Sequence, residues 1–117
     1  MTVTINDKEY PVLAKYSAIK MFCDRKGIDF FEFPELLIKY GVDKKDFKPT
    51  TPFIEDMSLI MLCFLERGAE TKGTTCDLNL NDILDWFLEG NVLKVYELII
   101  EAQGKSKNVE ATEKAQD

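Results

Sequence analysis

A run of seven apolar residues, Leu59–Leu65, constrains the fold of this chain more than any other feature of its sequence. A helix start precedes the run at Thr51-Pro52, where threonine can cap the first turn and proline suits the first helical position. We therefore predict a helix that starts after Thr51 and runs to about Arg67. Because its second half is apolar on every side, we expect this helix to be buried all round, as the central element of the fold.

The N-terminal segment predicts a β-hairpin. Thr2–Ile5 alternates polar and apolar side chains, Asn6–Lys8 supplies turn-forming residues, and Glu9–Leu13 resumes the extended pattern. Pro11 has no N–H to donate, so the second strand belongs at the edge of a sheet. Because two strands alone are marginally stable in water, we expect the hairpin to pack on an apolar helix surface.

Four further helices are predicted from capping residues and apolar spacing. They cover Ser17–Lys26, Glu35–Tyr40, Leu80–Glu89 and Val92–Gln103. Ser17 is the expected N-cap of the first of these helices and Asn79 that of the third, with Asp82 in the capping-box position. A glycine follows each helix as a left-handed stop. The polar stretches Val42–Thr50 and Gly68–Asp77 lack periodicity and are predicted loops.

The spacing of apolar residues also predicts the buried face of three helices. On the helix that begins near Ser17, the predicted buried residues are Ile19, Phe22 and Cys23. On the helix after Asn79, they are Leu80, Ile83, Leu84 and Phe87, flanked by Trp86 and Leu88. On the last helix, they are Val92, Tyr96, Ile99 and Ile100.

These elements define the expected domain organisation. A chain of 117 residues with 45% apolar content is long enough for one domain and too short for two. We predict an α+β fold that is mainly α: an N-terminal β-hairpin packed on a compact bundle of about four to five helices, in a single globular domain over residues 1–104. Residues 105–117 contain one valine and no aromatic residue, so we expect a disordered C-terminal tail.

Charge and cysteine content restrict the class of partner and the compartment. A net charge of −6 argues against nucleic acid and anionic membrane surfaces as partners. The longest apolar run is far shorter than the roughly 20 residues that cross a bilayer as a helix. No signal peptide is visible at the N-terminus, and the three cysteines have neither disulfide nor zinc spacing. We therefore expect a cytoplasmic protein that binds neither nucleic acid nor membrane.

The residue types for common enzyme chemistry are missing. The sequence has no histidine, which removes the commonest general base and the commonest neutral metal ligand. Asp77–Asn81 matches the opening of a calcium-binding EF-hand loop, but position six is Asp82 instead of glycine and position twelve is Leu88 instead of glutamate. We predict a protein that is not an enzyme and that uses no cofactor or metal.

Apolar residues that one copy of the chain cannot easily hide are candidates for binding another protein. Phe30, Phe31 and Phe33 lie within four positions, and they either wedge into the core or remain exposed for a partner. A domain this small has little material to cover the Leu59–Leu65 helix, so self-association or a client helix could complete its cover. The candidate partner-binding residues are Phe30, Phe31, Phe33, Met57, Met61 and Trp86.

The order of these elements resembles that of the tail assembly chaperones of long-tailed bacteriophages and prophages. The likeness is carried by Ile5–Tyr10, which reads INDKEY, by Leu59–Leu65, and by Leu80–Phe87 with Val92–Ala102 after it. The resemblance implies a small, mainly helical protein without a cofactor, which binds the tape measure protein and keeps it soluble until tail tube subunits polymerise around it. It also implies a longer frameshifted product, with a junction near Gly104.

Two functions therefore follow from the sequence. The first is a phage tail assembly chaperone that works in the cytoplasm of the bacterial host, with the tape measure protein or a tail tube subunit as its partner. The second is a non-catalytic structural or adaptor subunit that oligomerises through its apolar helices and remains in a stable particle.

Overall fold

A hairpin of two strands and five α-helices make up residues 1–41 and 44–104, which are the residues that this computed structural model describes. The strands are β1, Thr2–Ile5, and β2, Lys8–Pro11. The helices are α1, Tyr16–Lys26; α2, Phe33–Tyr40; α3, Thr51–Thr71; α4, Leu80–Leu88; and α5, Val92–Ala102. A 3₁₀ turn, Phe30–Glu32, precedes α2. The predicted class, a mainly helical α+β fold with an N-terminal hairpin, is confirmed, whereas the predicted disordered tail at 105–117 lies outside the described residues.

The hairpin turns at Asn6 and Asp7. Both residues have left-handed backbones, with φ of 54° and 64°, as the favoured two-residue hairpin turn requires. The turn sets an antiparallel register that pairs Val3 with Tyr10. Both of these side chains are buried, so one face of the hairpin forms part of the core. The predicted hairpin is thus confirmed, with β2 beginning one residue earlier than expected, at Lys8.

The outer edge of β2 lies on α3. Just beyond the strand, the Leu13 N–H donates to the Phe64 carbonyl at 3.1 Å. Gly68 lies directly beneath Pro11, because a Cβ built on this glycine would be 2.3 Å from the Pro11 carbonyl oxygen. Alternate residues of a strand direct their N–H groups to the same side. Because the Leu13 N–H points toward α3, an N–H at position 11 would point toward α3 as well. Proline has no backbone N–H, so the contact between Pro11 and Gly68 leaves no backbone donor unpaired at position 11.

The ends of the helices differ from the sequence predictions at several places. The N-cap position of α1 is Lys15 rather than Ser17, whose hydroxyl instead accepts from Arg67 Nε at 3.3 Å. The N-cap of α3 is Thr50 rather than Thr51, and its Oγ1 accepts from the Phe53 N–H at 3.4 Å. The helix α2 begins at Phe33 rather than Glu35. In contrast, the capping box of Asn79 and Asp82 is confirmed, with bonds of 2.9 and 3.1 Å.

The predicted loop Gly68–Asp77 is shorter than expected, because α3 continues through Gly68 to Thr71. From the sequence, Gly68 is predicted to end this helix. In the structure Gly68 is an interior helical residue, and its missing side chain makes room for the hairpin backbone. A glycine can end a helix or can make room for a neighbouring backbone, and a single sequence does not distinguish these two roles.

The helix α3 is the central element, as predicted, and the domain covers it with its own elements. Within the apolar run, Ile60, Met61, Cys63, Phe64 and Leu65 are at most 1% exposed. The hairpin, α1, α4 and α5 all pack against α3. The expectation that so short a chain cannot cover this helix is therefore wrong for most of its surface, because the surrounding elements bury five of the seven residues of the run and leave Leu59 and Leu62 half-buried.

The buried faces of the outer helices were predicted with mixed success. On α1 the predicted face is confirmed, with Ala18 added to it. On α4 the buried residues are Ile83, Trp86 and Phe87, whereas Leu80 and Leu88 are exposed. On α5 the buried residues are Val95, Leu98, Ile99 and Ala102, so the predicted stripe was rotated around the helix. Apolar residues occupy most sides of α5, and spacing alone therefore does not fix the side that meets the core.

One buried carboxylate joins three helices. Asp56 on α3 is 5% exposed, and its Oδ1 lies 3.0 Å from Lys26 Nζ at the end of α1. The hydroxyl of Tyr40, at the end of α2, donates to Asp56 Oδ2. Burial, and next the hydrogen bond to Asp56, raise the pKa of Tyr40 above its usual value. Lys26 and Tyr40 satisfy a charge that would be costly to bury alone.

We predict that Gly68→Ala destabilises the protein, although alanine favours helices over glycine by about 1 kcal/mol. The new Cβ would overlap the Pro11 carbonyl, and relief of that overlap should lower the free energy of unfolding by about 1–3 kcal/mol. Urea denaturation followed by circular dichroism measures the change. Glu70→Ala, two residues later on the exposed side of α3, is the control and should shift stability by less than about 0.5 kcal/mol. A Gly68→Ala protein as stable as wild type would contradict the close contact.

We predict that Tyr40 makes the fold sensitive to alkaline pH. Because folding raises the pKa of Tyr40, its contribution to stability is complete below the unfolded value of about 10 and is lost as the pH rises above it. The wild type should therefore lose stability more steeply than Tyr40→Phe between about pH 9 and pH 11. Urea denaturation of both proteins across this range measures the difference. If the free energy of unfolding changed with pH in the same way in both proteins, ionisation of Tyr40 would not be coupled to folding.

Candidate partner-binding surface

Three aromatic side chains, Tyr16, Phe30 and Phe31, form a connected group that we call the aromatic surface. The ring of Phe30 contacts Tyr16 edge-to-face at 5.9 Å between centroids and contacts Phe31 in the same way at 5.4 Å. Phe31 is 80% exposed and Tyr16 is 54% exposed, whereas Phe30 is half-buried. Contiguous exposed aromatic area of this kind marks interaction sites on soluble proteins.

A capping box at the 3₁₀ turn fixes the orientation of this group. The Glu32 N–H donates to the Asp29 backbone carbonyl at 2.9 Å, and the Asp29 N–H donates to Glu32 Oε1 at 3.0 Å. The turn leaves Phe31 in solvent and directs Phe33 inward, where its ring lies 5.8 Å from that of Phe22 and is 1% exposed. The two alternatives for the phenylalanine cluster are thus both realised: Phe33 belongs to the core, and Phe31 lies on the surface.

A cavity of about 200 Å³ opens beside Phe31. It is lined by Tyr16, Ile19, Phe30, Phe31, Phe33, Pro34 and Gln103. The Tyr16 hydroxyl donates to the Gln103 carbonyl at 2.7 Å and so joins the first turn of α1 to the residue that follows α5. A dry cavity of about 150 Å³ can hold a benzene ring, so this one has room for one phenylalanine or leucine side chain.

Charged groups of both signs border the aromatic surface. Lys20 and Asp29 line a shallow depression next to Phe31, together with Tyr16 and Phe30. The Lys20 Nζ lies 2.9 Å from Asp24 Oδ2, and both of these side chains are 65% exposed. The surface therefore has an apolar floor and a mixed polar rim, as protein-binding sites commonly do.

The other candidate partner-binding residues lie in the core. Met57 and Met61, on α3, are 1% and 0% exposed, and Trp86, on α4, is 7% exposed. The elements that enclose α3 cover these side chains, so they do not reach the surface of a single copy. Sequence reasoning also missed Tyr16, which stands next to Phe30 only after the chain has folded. The helical spacing of Tyr16 and Ile19 was a signal that both line the same side of α1.

The cysteine thiols and one buried serine hydroxyl are the next candidates for reactive groups. Burial raises the pKa of the Cys63 thiol to about 12 and also raises the pKa of Cys23 and Cys76, which disfavours the thiolate at neutral pH. Among the described residues, the buried Ser58 hydroxyl has no hydrogen-bond partner, so none of them serves as a base that activates it. In residues 1–41 and 44–104, no group of three or more Cys, Asp or Glu side chains is placed to hold a metal ion. Nor is any helix there both long and apolar enough to cross a membrane.

We predict that alanine substitutions separate the surface and core members of the phenylalanine cluster. Phe33→Ala should lower the free energy of unfolding by about 3–5 kcal/mol, because it leaves a cavity in the core. Phe31→Ala, two residues earlier, should change it by less than about 0.5 kcal/mol. Urea denaturation measures the free energy of unfolding of both variants. A loss at Phe31 comparable to that at Phe33 would show that Phe31 is packed in the core.

Comparison with known proteins adds no family to this description. No family model matches the sequence, and no curated protein or solved structure matches it. The resemblance to tail assembly chaperones therefore rests on the order and length of the elements.

Proposed function

We propose that this protein is a chaperone of the tail assembly type, which binds apolar helical segments of a tape measure protein in the host cytoplasm and keeps them soluble. The observation that carries the proposal is Phe31, 80% exposed beside an apolar cavity, in a domain that otherwise covers its large central helix. Leaving a phenylalanine in water forgoes about 1.5–3 kcal/mol of stability, which a bound partner would restore.

The shape of the surface suits a helix that presents apolar side chains on one face. One side chain of the client would enter the cavity between Tyr16 and Phe33, and a second, one turn along, would pack on the ring of Phe31. Gln103 offers a polar edge to this cavity. The net charge of −6 would keep the chaperone and its apolar client dispersed in solution.

The alternative, an adaptor that oligomerises through its apolar helices, is less well supported. That hypothesis required α3 to offer an uncovered apolar face. Its central residues Ile60, Met61 and Phe64 are fully buried within one copy. A permanent subunit interface would also be expected to be large and strongly apolar, whereas the aromatic surface is small.

The test begins with the coding DNA and continues with co-expression. We expect a slippery heptamer near the codon for Gly104, an overlapping frame, and then a very long reading frame. Co-expression of the chain with the product of that long frame should raise the soluble fraction of the product. Phe31→Ala should abolish most of this gain, because it removes the exposed ring without disturbing the core.

Ile38→Ala is the matched control. Ile38 is 66% exposed on α2 and does not line the cavity, so this variant should solubilise the client as well as wild type does. Equal loss in both variants would assign the effect to general surface hydrophobicity rather than to the aromatic surface. No gain in client solubility with the wild-type chain would overturn the proposed function.

A further inference from the structure

We propose that the free protein forms a weak two-fold homodimer through the aromatic surface, in which Phe31 of each copy enters the cavity of the other. The dimer does not require a client, so it is independent of the proposed function. Because the dimer and a client would use the same surface, they would compete for it, and only this competition rests on the proposed function.

The shape of the surface is self-complementary. A two-fold interface places the same patch on both sides, so the patch must contain both a projection and a recess that receives it. Here the projection is Phe31, 80% exposed, and the recess is the adjoining cavity of about 200 Å³. The recess has room for a phenyl ring, and its aromatic wall, Phe30 and Tyr16, offers edge-to-face contacts to a ring that enters.

The charges around the surface are also self-complementary. Lys20 and Asp29 lie on the rim of the same depression beside Phe31. In the proposed dimer the two-fold axis passes between these two residues, which places Lys20 of one copy opposite Asp29 of the other. The pair that Lys20 makes with Asp24 within the chain is highly exposed, and such pairs contribute little to stability. Lys20 is therefore able to exchange Asp24 for a partner across the interface.

The size of the surface makes the dimer weak. Stable interfaces bury about 1,200–2,000 Å² in total, and three aromatic side chains with a narrow rim fall short of that range. The net charge of −6 on each copy adds repulsion. The interface covers Phe31 while no client is present, and a client with larger apolar surface displaces the second copy.

Sedimentation equilibrium of the full 117-residue chain, from about 10 µM to about 1 mM, tests the dimer. The apparent mass of the wild type should rise from 13.4 kDa toward twice that value. Phe31→Ala should remain at 13.4 kDa, whereas the controls Ile38→Ala and Leu93→Ala, at sites 66% and 73% exposed, should follow the wild type. A wild type that stays monomeric throughout, or equal effects of all three substitutions, would overturn the proposal.

The charge arrangement is tested separately by Lys20→Glu. This change places a glutamate opposite Asp29 of the other copy and should raise the dimer dissociation constant by about tenfold. Lys39→Glu, at the end of α2, alters the net charge equally and should raise it far less. Equal effects of these two substitutions would reject the orientation in which Lys20 faces Asp29.

The dimer and the proposed function fail in different ways. Self-association by the wild type with no gain in client solubility would retain the dimer and reject the chaperone. A strictly monomeric wild type that still solubilises the client through Phe31 would reject the dimer and retain the chaperone.

Discussion

The enclosure of α3 is the physical constraint on which the rest of the structure depends. This helix is 21 residues long and its central run is apolar on all sides, so burial on one face would leave much of it in water. The chain meets the constraint by packing the hairpin and three helices around it. The hairpin comes close only because Gly68 lacks a side chain and Pro11 lacks an N–H. A glycine on one element and a proline on the other thus permit a contact between two backbones.

The same constraint explains why so little apolar surface remains for a partner. The large side chains Phe22, Phe33, Phe64 and Phe87 all serve the enclosed core. The exposed leucines at the two ends of α4 and on α5 lie outside the aromatic surface; they are Leu80, Leu88 and Leu93. At the 3₁₀ turn, in contrast, the exposed rings of Tyr16 and Phe31 both contact the half-buried ring of Phe30 and border a cavity. Proximity of several apolar groups, rather than exposure of any one, distinguishes a binding surface from ordinary surface.

Local signals predicted much of the fold from the sequence. The hairpin, the existence of each helix and the Asn79–Asp82 capping box depend on neighbours a few residues apart, and such patterns are visible in one chain. Signals that depend on tertiary contact were not visible. Gly68 reads as a helix stop until the hairpin is placed above it. The buried face of α5 is set by α1 and α3 rather than by its own spacing.

The candidate site was only partly predictable for the same reason. The phenylalanine cluster was recognised, but the fate of each ring depends on the turn that carries it. Met57, Met61 and Trp86 are apolar residues whose exposure could be judged only once the surrounding elements were known. Tyr16 lies several helical turns before Phe30 in the sequence, so no local pattern joins them.

The aromatic surface is held in place before any partner arrives. Phe33 is anchored in the core two residues after Phe31, and the Asp29–Glu32 capping box fixes the backbone between the turn and α2. Tyr16, which supports Phe30, is itself held by its bond to the Gln103 carbonyl. A ring on a mobile loop would have to be ordered when a partner binds, at an entropic cost for each side chain and backbone unit. Here the segment is already ordered in the folded protein, so binding does not lose this conformational entropy. Contact with Phe31 can therefore contribute to affinity even though the surface is small.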